Sequence, residues 1–157
     1  MTSFIGDFPA KLDTKGRMVF PAAFMRQLGQ DAADRFVVKK DIFEDCLVLY
    51  PMAEWHRQTG LIRSRTNPYN QAHNRFLRGF FRGTAEINMD ASNRLLLPQR
   101  LLQVAHIDKD IILAGQDTRI EIWDKATYET LFDNEEEDFA ALAQQILGQE
   151  PGQSPQT

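Results

Sequence analysis

Two short strings hold the residues best suited to chemistry: Leu12-Asp13-Thr14-Lys15-Gly16-Arg17 and Met89-Asp90-Ala91-Ser92-Asn93-Arg94. In each, an aspartate stands four residues before an arginine. At that spacing the two groups flank a tight turn, where an ion pair or a carboxylate-to-backbone bond is feasible. Gly16 suits a backbone position with φ > 0, and Asn93 is the next most tolerant residue there. Asp13, Gly16, Asp90 and Asn93 therefore read as residues that fix the turns. Lys15 sits at a turn apex and offers a compact point charge, while Arg17 opens a strand and offers a planar fork of donors. These are groups for gripping an anion. Arg94 reads first as a turn residue and second as a contact like Arg17. Ser92 stands where the first string has Lys15, so the first turn reads as the main recognition element. Arg26 and Arg82 read equally well as anion contacts or as solvated surface.

Catalytic chemistry finds little support. His56, His73 and His106 are scattered without metal-ligand spacing, and no metal or cofactor is expected. Cys46, the only cysteine, lies in the apolar run Cys46-Leu47-Val48-Leu49 and reads as an inert core thiol. Phosphate-cradling loops, Gly-x-Ser-x-Gly and paired-carboxylate motifs are lacking, so the chain is not read as an enzyme. The acidic cluster at 135–138 lacks the glycine and spacing of a calcium loop and reads as a solvated helix start. Phe76, Phe80 and Phe81 read as core or subunit contacts.

The elements that must position the two strings come as a repeat. Phe4-x-Gly6 recurs as Phe81-x-Gly83, the two Asp-x-x-x-Arg strings correspond, and Pro21 recurs as Pro98, all 77 residues apart. Leu47-Val48-Leu49-Tyr50 with Trp55 returns 73 residues later as Ile120-Glu121-Ile122-Trp123 with Tyr128. Two copies suit a pseudo-two-fold domain and are too few for a solenoid. Phe8, Ala10 and Leu12 alternate as in a half-buried strand, and Ala85, Ile87 and Met89 repeat the pattern. Arg17 to Phe20 and Arg94 to Leu97 read as return strands. Each is followed by a proline opening a short helix, at about 22–28 and 99–105. Hairpins follow, turning at 41–45 and 115–118. Between the copies, 52–65 is helix-compatible. Asn67-Pro68 reads as the cap and first residue of a second helix reaching Phe80. Asp133 or Asn134 would cap a last helix with Phe139, Leu142, Ala143 and Ile146 on one face.

Composition sets the remaining bounds. The 157 residues include 18 Lys+Arg and 22 Asp+Glu, a net charge of −4, with 43% apolar residues. The charges are segregated: residues 1–106 net +5 and residues 107–157 net −9. Residues 57–82 contain six arginines and no acid. A basic body can attract a polyanion although the total is negative. Neither a membrane span nor a signal peptide is expected.

The two turns, each followed by its proline, together with Leu47 to Trp55, Asn67-Pro68 and Ile120 to Trp123, resemble the MraZ family of bacterial transcriptional regulators. The likeness covers about residues 4–147. It implies an α+β fold in which two AbrB-like half-domains form a swapped-hairpin β-barrel within one chain, with flanking helices. The expected division is repeat 1 at 7–54, linking helices at 55–82, repeat 2 at 83–126, a C-terminal helix at 127–147 and a disordered tail at 148–157. The resemblance further implies a ring-shaped homo-oligomer in the cytoplasm, associated with the nucleoid. It would bind G-rich direct repeats in double-stranded DNA and repress the operon for division and cell wall synthesis, including its own gene. Guanine suits arginine, whose fork can take O6 and N7 together. Lys15, Arg17, Arg26, Arg82 and Arg94 are then the expected DNA contacts. An AbrB-like antidote of a toxin, and a purely structural ring, are the alternatives.

Overall fold

The computed structural model describes residues 2–29, 34–133 and 136–148. Asn134 as a helix cap, and the tail beyond residue 148, lie outside them. Two compact units divide the chain after Lys125. The first holds strands β1 (Asp7–Lys11), β2 (Arg17–Val19), β3 (Arg35–Lys40) and β4 (Leu47–Pro51). It also holds β5 (Ala85–Asn88), β6 (Arg94–Leu96), β7 (Asp110–Gln116) and β8 (Arg119–Asp124). Its helices are α1 (Ala22–Leu28), α2 (Met52–Arg65), α3 (Gln71–Phe81) and α4 (Gln99–Val104). The second unit contains most of α5 (Lys125–Thr130) and all of α6 (Glu136–Leu147). The stretch 127–147 is thus divided between two helices. Phe139, Leu142 and Ile146 of α6 are exposed, and Tyr128 meets Phe132 edge-on at 5.7 Å.

The fold is α+β, with antiparallel sheets. Six strands run in the order β1-β7-β8-β4-β3-β5, and β2 pairs with β6 in a separate ribbon. Exchanging the two copies turns the six-strand order into its own reverse, the signature of a pseudo-two-fold through the central β4–β8 pair. The first strand of each copy lies on the third strand of the other: Phe8 opposite Leu113 in one ladder, Phe36 opposite Ile87 in the other. The expected closed barrel is not what forms. The tight turns after β1 and β5 redirect the chain into three-residue strands, which pair with each other and leave the large ladder open.

The pattern of apolar residues explains this architecture. β4 (LVLYP) is buried at every position, as a central strand covered on both faces must be. Equivalent residues of both copies converge on one core: Met18 with Leu95, Phe20 with Leu97, Phe24 with Leu101, Leu47 with Ile120 and Leu49 with Ile122. α1 and α4 start where expected, although Pro21 and Pro98 take the cap position, with extended ψ near 135°, and stand one residue ahead of the first helical turn. The expected cap of α3 is corrected. The side chain of Asn67 accepts from the Tyr69 amide and closes a turn of its own, whereas Asn70 accepts from the His73 amide and caps the helix. Trp55 of α2 stacks on Phe80 of α3 at 6.1 Å and meets Phe81 edge-on, which joins the linking helices.

Candidate nucleic-acid interface

The two Asp-x-x-x-Arg turns are built from the same bonds. Asp13 Oδ1 accepts from the amides of Lys15 and Arg17, both at 2.9 Å, and Oδ2 accepts from Arg17 Nε at 2.7 Å. Asp90 repeats this with the amides of Ser92 and Arg94 and with Arg94 Nε, all at 2.9 Å. The Gly16 amide donates to the Asp13 carbonyl and the Asn93 amide to the Asp90 carbonyl, each at 3.0 Å. Gly16 at φ 87° and Asn93 at φ 59° occupy the left-handed region, as their residue types predict. The Arg17 amide, the guanidinium and the Lys15 amide together hold the Asp13 carboxyl down at about 2. Asp90 is lowered in the same direction, first by the Arg94 amide. Both aspartates therefore stay charged at neutral pH and fix their arginines by Nε. Among the described residues no acceptor holds the two terminal nitrogens of either fork.

The ribbon brings the two turns into one site. β2 and β6 pair with Arg17 opposite Leu96, Met18 opposite Leu95 and Val19 opposite Arg94. The ladder continues outward symmetrically: the Phe20 amide donates to the Asn93 carbonyl at 2.8 Å and the Leu97 amide to the Gly16 carbonyl at 2.9 Å. Met18 and Leu95 point into the core, so Arg17, Val19, Arg94 and Leu96 share the outer face. Diagonal neighbours on such a ribbon have Cα atoms about 7–8 Å apart, which places both forks on one small surface. Val19 and Leu96 are 59% and 51% exposed, an apolar pair between two cations. The sequence reading missed these two, yet the in–out alternation of Arg17 to Phe20 carried the signal.

Each turn rests on the helix of the other copy. Asp13, Thr14 and Gly16 line a cleft with Gln99, Leu102 and Gln103 of α4. Asp90, Ala91 and Asn93 line one with Met25 and Leu28 of α1. Lys15 is exposed at the first apex and Ser92 at the second. Arg26 is exposed on α1 and does not line the cleft of the second turn. Arg82 is not brought to the ribbon; it lines a separate cleft with Lys39, Arg75 and Arg100.

Elsewhere, Asp41, Cys46 and Glu121 bring their ligating atoms within 4.8 Å of one another. Asp41 already accepts the amides of Phe43 and Glu44, and Glu121 accepts Trp123 Nε1. Burial, then Glu121 and Asp41, push the Cys46 thiol upward, so it stays protonated. Among the described residues no helix is long and apolar enough to cross a membrane.

The chain is a tandem α+β repeat whose copies share one core and present two arginine turns built from the same bonds, and its sequence matches those of known proteins. The family described as "MraZ protein, putative antitoxin-like" matches residues 4–79 and again residues 80–149. The chain is 40% identical over 150 residues to the transcriptional regulator MraZ of Bacteroides fragilis, covering 96% of this chain and 94% of that one. It is 38% identical over 152 residues to that of Christiangramia forsetii, covering 94% and 95%. It is 37% identical over 145 residues to that of Desulforamulus reducens, covering 92% and 97%. The chain belongs to the MraZ family.

Proposed function

We propose that this chain is a sequence-specific DNA-binding regulator of transcription that uses the β2–β6 ribbon as its reading head. The observation that carries this reading is the pair of forks, each held at Nε by its own aspartate and open at its terminal nitrogens. The major groove admits a two-stranded ribbon, and an arginine fork matches guanine O6 and N7. A fork already fixed in place loses less side-chain freedom on binding. Val19 and Leu96, exposed on the same face, are the apolar residues that would contact a thymine methyl group in that groove. Lys15 and Arg26 serve the phosphate backbone, and Arg82 is a more distant backbone contact assigned on charge alone. The relatives carry the name of transcriptional regulators, in keeping with this role.

In this reading, residues 7–54 and 83–126 are AbrB-like half-domains that exchange hairpins, which the cross-copy pairing of β1 with β7 and β5 with β3 supports. The sites are G-rich direct repeats before the division and cell wall operon, including the protein's own gene, and the effect is repression. One ribbon makes few contacts, so several chains assembled head-to-tail in a cytoplasmic, nucleoid-bound ring supply the remaining affinity. A gel-shift comparison of a G-rich repeat array with a scrambled duplex tests the reading. Preference for the array, lost in Arg17→Ala at unchanged fold, is expected; equal binding of both duplexes by the wild type overturns it.

A further inference from the structure

A cleft of about 630 Å³ lies apart from the ribbon, between the end of β3, α3 and α4. Its wall carries Lys39, Lys40, Arg75, Arg82 and Arg100 against a single carboxylate, Asp41. That carboxylate is occupied, since Asp41 Oδ2 accepts the amides of Phe43 and Glu44. Lys40 is engaged with Asp45 and with the carbonyls of Asp41 and Glu44. Among the described residues, Lys39, Arg75, Arg82 and Arg100 have no carboxylate within ion-pair distance.

Lys39 is the telling member. It is only 3% exposed; burial pushes its ammonium toward the neutral form and the nearby Asp41 opposes this, while no carboxylate among the described residues lies within ion-pair distance of it. Its ammonium donates to the Lys40 carbonyl at 3.0 Å and lies 4.2 Å from the centre of the Phe80 ring. One hydrogen bond and one ring face leave one of its three donors for a further acceptor. Burying a charge is costly, and an anion in the cleft would offset that cost by favouring the charged form of Lys39. The remaining wall is apolar: Phe76, Phe80, Leu101 and Val104. Volume and lining match a small-molecule site, in which an apolar bed is ringed by a few charged groups.

We propose that this cleft binds a small phosphorylated molecule: a diphosphate held by Lys39, Arg75 and Arg100, carried on an aromatic or apolar group that rests on Phe76 and Val104. Unlike a stretch of DNA backbone, such a ligand fills the apolar part as well as the charged rim. None of the ribbon residues lines the cleft; of the DNA contacts proposed above only Arg82 does, and it is not among the three groups that hold the diphosphate.

Calorimetric titration of the full chain with inorganic pyrophosphate, adenosine diphosphate and uridine diphosphate, at matched ionic strength with sulfate as control, tests this. Saturable binding is expected, with a nucleoside diphosphate about tenfold tighter than pyrophosphate because its base covers Phe76. Arg75→Ala and Arg100→Ala, both at the surface, should each weaken it about tenfold, the loss of one charge-assisted bond. Lys39→Met should abolish it while leaving the circular dichroism spectrum unchanged. Binding of every probe no tighter than sulfate overturns the proposal, and so does unchanged affinity in both arginine variants. If those variants instead weaken duplex DNA binding while the diphosphates do not bind, the cleft is a nucleic-acid contact and the proposal falls.

Discussion

Asp13 and Asp90 each hold two amides and one guanidinium, so the shape of the turn and the aim of its arginine are set by one carboxylate. Because the folded Asp13 carboxyl titrates at about 2, below its ordinary 3.8, the stabilisation it gives is complete above the ordinary value. It is lost as pH falls toward 2. Asp13→Asn should therefore lower the unfolding temperature at pH 6, and the difference from wild type should shrink by pH 3 in parallel thermal melts. The neighbouring position separates the two copies. A Cβ added to Gly16 would lie 3.0 Å from the Leu97 carbonyl oxygen, and the φ of 87° is strained for any side chain. Gly16→Ala should cost about 1–2 kcal/mol, whereas Asn93→Gly should change stability by a few tenths of a kcal/mol. Chemical denaturation reads both. The Gly–Asn exchange was legible in the sequence because a single backbone angle dictates it. The burial of Lys39 against Phe80 was not, since it depends on which atoms another segment places nearby.

The β2–β6 ribbon turns two distant hexapeptides into one surface, and its consequences are testable as a unit. Arg17→Ala and Arg94→Ala should each cost about 1–3 kcal/mol in specific binding and leave non-specific binding less affected. Lys15→Ala should instead weaken all sequences alike and reduce the salt slope by about one. Gel shifts at several salt concentrations distinguish the two patterns; a Lys15→Ala slope equal to wild type would remove it from the phosphate contacts. Most elements were legible from local pattern: α1 begins just after Pro21 as expected, and α2 spans the stretch read as helix-compatible. The start of α3 was not, because Asn67 and Asn70 are both competent caps, and the composition of the stretch does not say that Asn67 closes a turn onto Tyr69 while Asn70 caps the helix. The separate ribbon was equally hidden. Short strands carry little periodic signal, and their partner lies 77 residues away.

Neither copy owns a core. Met18 packs against what Leu95 supplies, and the central sheet joins β4 of one copy to β8 of the other. Residues 1–82 produced alone should therefore fail to form a stable monomer, and sedimentation should show either a dimer of halves or aggregate; a folded monomer would contradict the shared core. The tie between the copies has one more consequence. A dimer of identical halves must read the same from either end, and such a protein has no forward direction on its target. Here the halves are joined yet unequal, with Lys15 at one apex and Ser92 at the other. The ribbon consequently has a heavy end and a light end. In the DNA-binding reading proposed above, a chain seated on the duplex is therefore distinguishable from the same chain turned end for end.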